Sequence, residues 1–382
     1  MEEIYLDNSA TTRVIPEAVE AMCTACTYDF GNPSSLHGKG HGAEKILKQT
    51  REDIAAEFGC RPEEVYFTSG GTESNNWAIL GTARRRARRG RHIVTTRIEH
   101  PSVLNVCKYL ENNGFEVSYV PPGNSGTIDV EKLKDCIRQD TILVSVMHVN
   151  NETGVIQPID QIGRLLKELN EEILFHVDGV QSFGKLPLDL EGAHVDLLSV
   201  SAHKIHGPKG TGALFMRRGR EAGPFLLGGE QEQQRRAGTE NVPGIAGFGA
   251  AVRAAGSIYR SSEKVTILKE RLLEGLKQRI PEVLVNGSPK GSIPYIMNLS
   301  IPGIKGEVLV HYLEQYNIFI STGSACHSRA GHASYVLEAM GVRGTRLEGA
   351  VRISFSHFNT PEEIDYTVEK MALAVKDLYS LR

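Results

Sequence analysis

Between about residues 60 and 216 the chain alternates short, almost wholly apolar runs with helical segments. That alternation restricts the fold more than any other feature. The expected strands are Val65–Phe67, His92–Thr95, Glu116–Val120, Thr141–Val149, Ile173–Asp178, Leu197–Val200 and Gly212–Met216. Helices are expected at Thr72–Arg88, Pro101–Asn112, Val130–Ile137 and Ile159–Leu169. Strands this apolar bury both faces, so the pattern predicts an α/β fold with a mostly parallel seven-stranded sheet flanked by helices. In such sheets a ligand sits beyond the carboxyl ends of the strands.

Helical patterns continue through Pro243–Tyr259 and Glu263–Gln278. The last third changes character. Strands near Val283–Asn286, Ile296–Ser300, Phe319–Ser321 and Val351–Phe355 mix with helices Glu307–Tyr316, Ser334–Met340 and Pro361–Leu378, as in a smaller α+β domain. The 382 residues suffice for two domains. The expected division is a large domain over 13–260 and a small domain built from 1–12 and 261–382.

The formal net charge of −3 gives no reason to expect direct binding to nucleic acid. No apolar run approaches the ~20 residues of a spanning helix, and no secretory leader is visible, so no membrane association is expected. Six cysteines in a chain of this length are no disulfide framework, and a cytoplasmic location is expected.

Two expected strand ends carry chemistry. Ile173-Leu-Phe-His-Val-Asp178 closes on an aspartate, and Ser199-Val-Ser-Ala-His-Lys204-Ile-His-Gly-Pro-Lys-Gly210 sets one lysine between hydroxylated residues and a glycine turn. A lysine able to form a Schiff base, with an aspartate able to keep a pyridinium nitrogen protonated, is the protein's share of pyridoxal 5'-phosphate (PLP) chemistry. Ser69-Gly-Gly-Thr-Glu-Ser-Asn75 follows a strand and opens a helix, where free amides favour phosphate. Such turns are common and signify little alone; beside Lys204 this one reads as a phosphate cradle containing Gly71 and Thr72. Ser201 and His203 flank the lysine and can donate to the same phosphate. His100, in another strand-to-helix loop, can stack on the ring and move protons, although a single histidine is more often structural.

These residues resemble the class V aminotransferase family, and within it the NifS/IscS-type cysteine desulfurases. The similarity runs through Tyr5-Leu-Asp-Asn-Ser-Ala-Thr-Thr12, Gly31-Asn-Pro-Ser-Ser-Leu-His37, Ser69-Gly-Gly-Thr-Glu-Ser-Asn-Asn76, Met147-His-Val-Asn-Asn-Glu-Thr-Gly154, His176-Val-Asp178 with Gln181, Ser201–Gly210 and Arg236-Ala-Gly-Thr239-Glu-Asn241. The resemblance implies a fold-type I PLP-dependent transferase. By it, Lys204 carries PLP, Asp178 pairs with the pyridine nitrogen, Gln181 bonds the ring hydroxyl and His100 stacks on the ring. Thr72, Ser201 and His203 bind phosphate, with Gly71 in the cradle. Thr239 reaches the phosphate of the other subunit, which implies a homodimer. Asn151 and Arg352 hold the substrate carboxylate, and Asn151 also borders the cofactor. No metal is implied.

Ser321-Thr-Gly-Ser-Ala-Cys326-His-Ser328 separates members of this family. Its bland reading is a small buried hydrophobe. The glycine-serine-alanine setting resembles the SSGSAC motif of desulfurases with the longer catalytic loop. The implied activity converts L-cysteine to L-alanine: Lys204 removes the Cα proton, His100 manages the thiol proton, and Cys326 takes the sulfur as a persulfide. The sulfur then passes to an acceptor protein such as an iron–sulfur scaffold, for cluster assembly or other thiolation. A class V aminotransferase or selenocysteine lyase is the alternative.

Ser9 and Ser356 depart from the family's usual alanine and glycine. Cys23-Thr-Ala-Cys26 lacks a second pair and reads as two helix-face cysteines. Arg84–Arg91, with six arginines, reads as a solvated helix end complementing the helix dipole, docking of an acidic partner being the alternative.

Overall fold

The computed structural model describes residues 3–259, 262–323 and 333–380. Cys326 lies outside them. The chain opens with strand β1 (Ile4–Tyr5), then helices α1 (Pro16–Thr27) and α2 (Gly38–Phe58). There follow β2 (Val65–Thr68), α3 (Gly71–Arg86), β3 (His92–Thr96), α4 (Pro101–Glu111) and β4 (Glu116–Val120). Next come β5 (Thr141–Met147), β6 (Leu174–Asp178), β7 (Leu197–Ser201) and β8 (Gly212–Met216). The last third supplies β9 (Leu284–Asn286), β10 (Ile296–Ser300), β11 (Ile318–Phe319) and β12 (Ala350–Ser354).

Strands β2 to β8 form one seven-stranded sheet in the order β2-β8-β7-β6-β5-β3-β4. All its pairs are parallel except those of β8, which runs antiparallel to both neighbours. The expected mostly parallel seven-stranded sheet is therefore borne out. Every residue of β5, β6 and β7 is buried, which explains their unbroken apolar runs. The polar member His176 is satisfied across the sheet, by Ser145 Oγ at 2.8 Å and Ser199 Oγ at 2.9 Å. Burial pushes its pKa down to about 3, so the ring is neutral.

Helix Ile159–Leu169 shows how the covering layer reads from sequence. Its buried residues Ile159, Ile162, Gly163 and Leu166 fall on one face at helical spacing. Cys23 and Cys26 fall on a helix, α1, as their spacing implied, whereas α2 is not among the expected elements. Three glycines at positions 38, 40 and 42 weaken the local preference of α2. Both helices are held by packing on helix Val242–Tyr259.

A three-stranded antiparallel sheet, β12-β10-β9, lies beyond the large one. The N-terminal segment joins these later elements: β1 pairs with β11, and Asn8 Nδ2 donates to the Ser354 carbonyl at 2.9 Å. Arg352 is thereby set beside the N-terminal residues, at the mouth of the large sheet.

The expected solvated arginine run needs one correction. Arg84, Arg85, Arg88, Arg89 and Arg91 are exposed, but Arg86 turns inward and donates to the Glu172 carbonyl. Burial pushes its pKa down to about 10. Cys23 and Cys26 are free and exposed on α1, as expected.

Candidate active site

The carboxyl ends of β5, β6 and β7 and the start of α3 enclose a cavity of about 510 Å³, a volume suited to a cofactor with a small substrate. Its lining includes Gly71, Thr72, His100, Asn151, Asp178, Gln181, Ser201, His203, Lys204 and Arg352. Ten of the residues singled out in the sequence, far apart along the chain, thus meet in one place. Thr239 does not join them: it is exposed and outside the lining. Cys326 lies outside the described residues.

Asp178 ends β6 with its side chain on the same face as His176, because side chains alternate along a strand. Its Oδ2 accepts from Asn75 Nδ2 at 2.7 Å and its Oδ1 from the Val180 amide at 3.0 Å. Asn75 Nδ2 also donates to Ser102 Oγ at 2.8 Å, which lies 2.8 Å from His100 Nδ1. His100 caps α4: its Nδ1 accepts from the Ser102 amide at 3.1 Å. An accepting Nδ1 leaves the ring proton on Nε2. Asn75 and Ser102 are the residues missed from sequence. The available signal was spacing, since Asn75 stands three residues after Thr72 on α3 and so shares its face.

Lys204 leaves the turn after β7. Its Nζ donates to the carbonyls of Ser9 at 2.5 Å and Ala10 at 2.8 Å. Burial, with the nearby positive charges of Arg352 and Lys185, pushes its pKa down to about 7. A neutral amine can make both hydrogen bonds and still carry its lone pair, the form that attacks a carbonyl. With PLP as the cofactor that the resemblance implies, uptake should therefore accelerate as pH rises through about 7 and level off above it. An ordinary lysine would keep accelerating towards about 10.4. Stopped-flow absorbance against pH checks this, and a midpoint above about 9 would contradict it.

His203 is neutral: burial and the charges of Lys204, Lys209 and Lys185 push its pKa down to about 3. Its Nδ1 stands 3.2 Å from Thr11 Oγ1.

The turn that opens α3, the expected phosphate cradle, depends on two glycines. Gly70 has φ +145°, a left-handed value. At Gly71 a β-carbon would stand 2.6 Å from Val180 Cγ2, so a side chain there would collide with the turn after Asp178. Glu73, one turn into α3, accepts from the Ser69 amide at 3.0 Å and pairs with Arg236 through two bonds of 2.8 and 3.2 Å. The run leading to Thr239 is thus tethered to the cradle.

Arg352, 2% exposed, donates from Nη1 to the Asn151 carbonyl at 2.9 Å and from Nη2 to Asp7 Oδ1 at 2.8 Å. Its Nε, Asn151 Oδ1, Gln181 Oε1 and Ser9 Oγ are buried without a hydrogen-bond partner among the described residues. Buried polar atoms seldom stay unpaired, and four around one cavity indicate a polar guest. The donor set fits PLP: a neutral amine, a buried carboxylate, the first-turn amides of α3, and open polar atoms on Gln181, Asn151 and Arg352.

A model of the class V aminotransferase family matches residues 4–367. The chain belongs to this family. Its relatives include the cysteine desulfurase IscS of Methanosarcina thermophila, 44% identical over 379 residues, covering 99% of this chain and 93% of that one. Among solved structures, a NifS-like protein superposes with a TM-score of 0.93 at 40% identity, covering 98% of this chain and 100% of the other. SspA in complex with cysteine superposes with a TM-score of 0.83 at 36% identity, covering 94% and 100%. The resemblance to NifS/IscS-type desulfurases is borne out. Family membership also accounts for the cavity's position at the carboxyl edge of the sheet.

Proposed function

We propose that the protein is a PLP-dependent cysteine desulfurase that converts L-cysteine to L-alanine and takes the sulfur as a persulfide on Cys326. The observation that carries this reading is the convergence of Lys204, Asp178 and Arg352 on one cavity ringed by unpaired polar atoms. The whole-length likeness to named desulfurases supports it.

Lys204 would hold PLP, Asp178 would face its ring nitrogen, Gln181 its hydroxyl and His100 its ring face. Gly71, Thr72, Ser201 and His203 would surround the phosphate. Bound there, PLP supplies an electron sink for charge developing at the substrate Cα. Arg352 and Asn151 would grip the substrate carboxylate. The open Nε–H is a donor in a water-poor setting, where a charged hydrogen bond is strong. Lys204 Nζ, neutral near pH 7, takes the Cα proton. His100, its proton on Nε2 and its Nδ1 engaged, moves the thiol proton. The Cys326 thiolate bonds to the substrate sulfur as the carbon–sulfur bond breaks. Carbon keeps the electron pair and is protonated, so alanine leaves and the enzyme holds S–SH.

Thr239, exposed and outside the cavity, suits a homodimer in which each subunit completes the other's phosphate site. The strand pairing of β1 with β11 supports a small domain formed by 1–12 with 261–382, beside a large domain over 13–260. Among the described residues no helix is long and apolar enough to cross a membrane. A thiol nucleophile suits the reducing cytoplasm, and the sulfur acceptor is a partner protein such as an iron–sulfur scaffold.

Arg352→Lys should raise KM for L-cysteine about 10- to 100-fold, with a smaller effect on kcat, since a lysine cannot reproduce the planar three-way fork. Steady-state kinetics checks this; an unchanged KM would remove Arg352 from carboxylate binding. The reading as a whole is tested by incubating the PLP-loaded protein with L-cysteine and a reductant and measuring sulfide and alanine. Equal amounts of both are expected. Neither product, with amino transfer to a keto acid instead, would replace the desulfurase by an aminotransferase.

A further inference from the structure

Glu152 takes no part in the chemistry above, yet it is fully buried in the turn that follows β5. Its neighbour Asn151 lines the cavity and passes its carbonyl to Arg352. Its own carboxyl points elsewhere. Oε2 accepts from Ser334 Oγ at 2.5 Å. The Ser334 oxygen in turn accepts from the Leu337 amide at 3.1 Å, capping helix Tyr335–Ala339. Ser334 therefore spends its one hydrogen on Glu152. The same Oε2 borders Gly323, where a β-carbon would stand 3.1 Å away, and Gly323 has φ +125°.

Gly323 and Ser334 lie on either side of the Cys326 sequence. Their neighbours are anchored to the site as well. Ser321 exchanges backbone hydrogen bonds with Arg352, at 2.6 and 3.1 Å. Tyr335 OH donates to the carbonyl of Glu99, next to His100, at 2.6 Å. One buried carboxyl thus touches both approaches to the nucleophile, from the turn that also presents Asn151 to substrate.

We propose that Glu152 is a positioning residue for sulfur transfer, fixing the root from which the Cys326 segment is presented by holding Ser334 against Gly323. The proposal rests on the desulfurase reading. It predicts a split within one reaction: substrate capture belongs to Arg352, Asn151 and Lys204 and is untouched, while transfer to Cys326 depends on Glu152. Burial raises the Glu152 pKa. An amide is a fair replacement, because its oxygen can still accept from Ser334.

The PLP-loaded wild type, Glu152→Gln, Glu152→Ala and Ser334→Ala are mixed with L-cysteine. The cofactor absorbance change, which reports substrate capture, and the Cys326 persulfide, read by differential alkylation and mass spectrometry, are followed together. Capture should stay within about twofold in all four. Persulfide formation should fall about tenfold in Glu152→Ala and Ser334→Ala and be largely preserved in Glu152→Gln, the scale of one lost buried hydrogen bond. Ser334→Ala removes a single oxygen and guards against a folding defect at position 152. A wild-type persulfide rate in Glu152→Ala, or a matching fall in capture, overturns the proposal alone. A wild type that captures cysteine but forms no persulfide overturns the desulfurase reading and the proposal with it.

Discussion

Lys204→Ala should abolish turnover of L-cysteine, by at least about a thousandfold, while the protein remains folded. In the proposed function one nitrogen carries two tasks, linking the cofactor and moving the Cα proton. Proton transfer alone contributes roughly 10²- to 10⁴-fold in enzymes. The fold should survive because, among the described residues, Lys204 Nζ holds only the carbonyls of Ser9 and Ala10. The Ser9 carbonyl keeps a second donor, Gln181 Nε2 at 3.0 Å. The checks are thermal unfolding, cofactor retention after dialysis, and Cα hydrogen exchange of L-cysteine in D₂O. Wild-type Cα exchange in the variant would assign the proton to another base, with His100 the nearest candidate by chemistry.

Cys326→Ser should give the complementary phenotype: Cα exchange and cofactor absorbance intact, alanine and persulfide formation down by on the order of a hundredfold or more. A serine hydroxyl is scarcely ionised near neutral pH, whereas a thiol is partly so and is intrinsically the better nucleophile towards sulfur. The two variants therefore separate the halves of the reaction, Lys204 acting at carbon and Cys326 at sulfur. Alanine formation by Cys326→Ser at the wild-type rate would show that another thiol or an external one accepts the sulfur. Cys107 is a poor substitute because it is buried in the core, and burial raises its pKa beyond the working range.

Much of this site was legible because strands and their ends have strong local signals. An apolar run closing on Asp178, or a glycine turn opening α3, declares both its element and its position at the carboxyl edge of a sheet. Boundaries were less legible. The expected strand Thr141–Val149 ends at Met147, its last pair being with Asp178, and the chain then turns at Asn150, whose carbonyl accepts from the Gly154 amide. Expected helix Val130–Ile137 stops at Asp135. Helix α2 was not legible because its stability comes from the helix it packs on rather than from its own composition.

The sequence by itself determined the sheet, the chemistry of the cavity and the family, since these depend on residue types at short spacing. Only the tertiary structure decided how those residues are connected. Asn75 and Ser102 link Asp178 to His100, the Nε of Arg352 stays unpaired among the described residues, and Glu152 faces Ser334 rather than the cavity. Each of these pairs segments distant along the chain, and which polar atoms meet and which stay open is settled by packing between elements. Local pattern carries no record of that, because a hydrogen bond needs its partners within about 3 Å, whatever their separation in sequence.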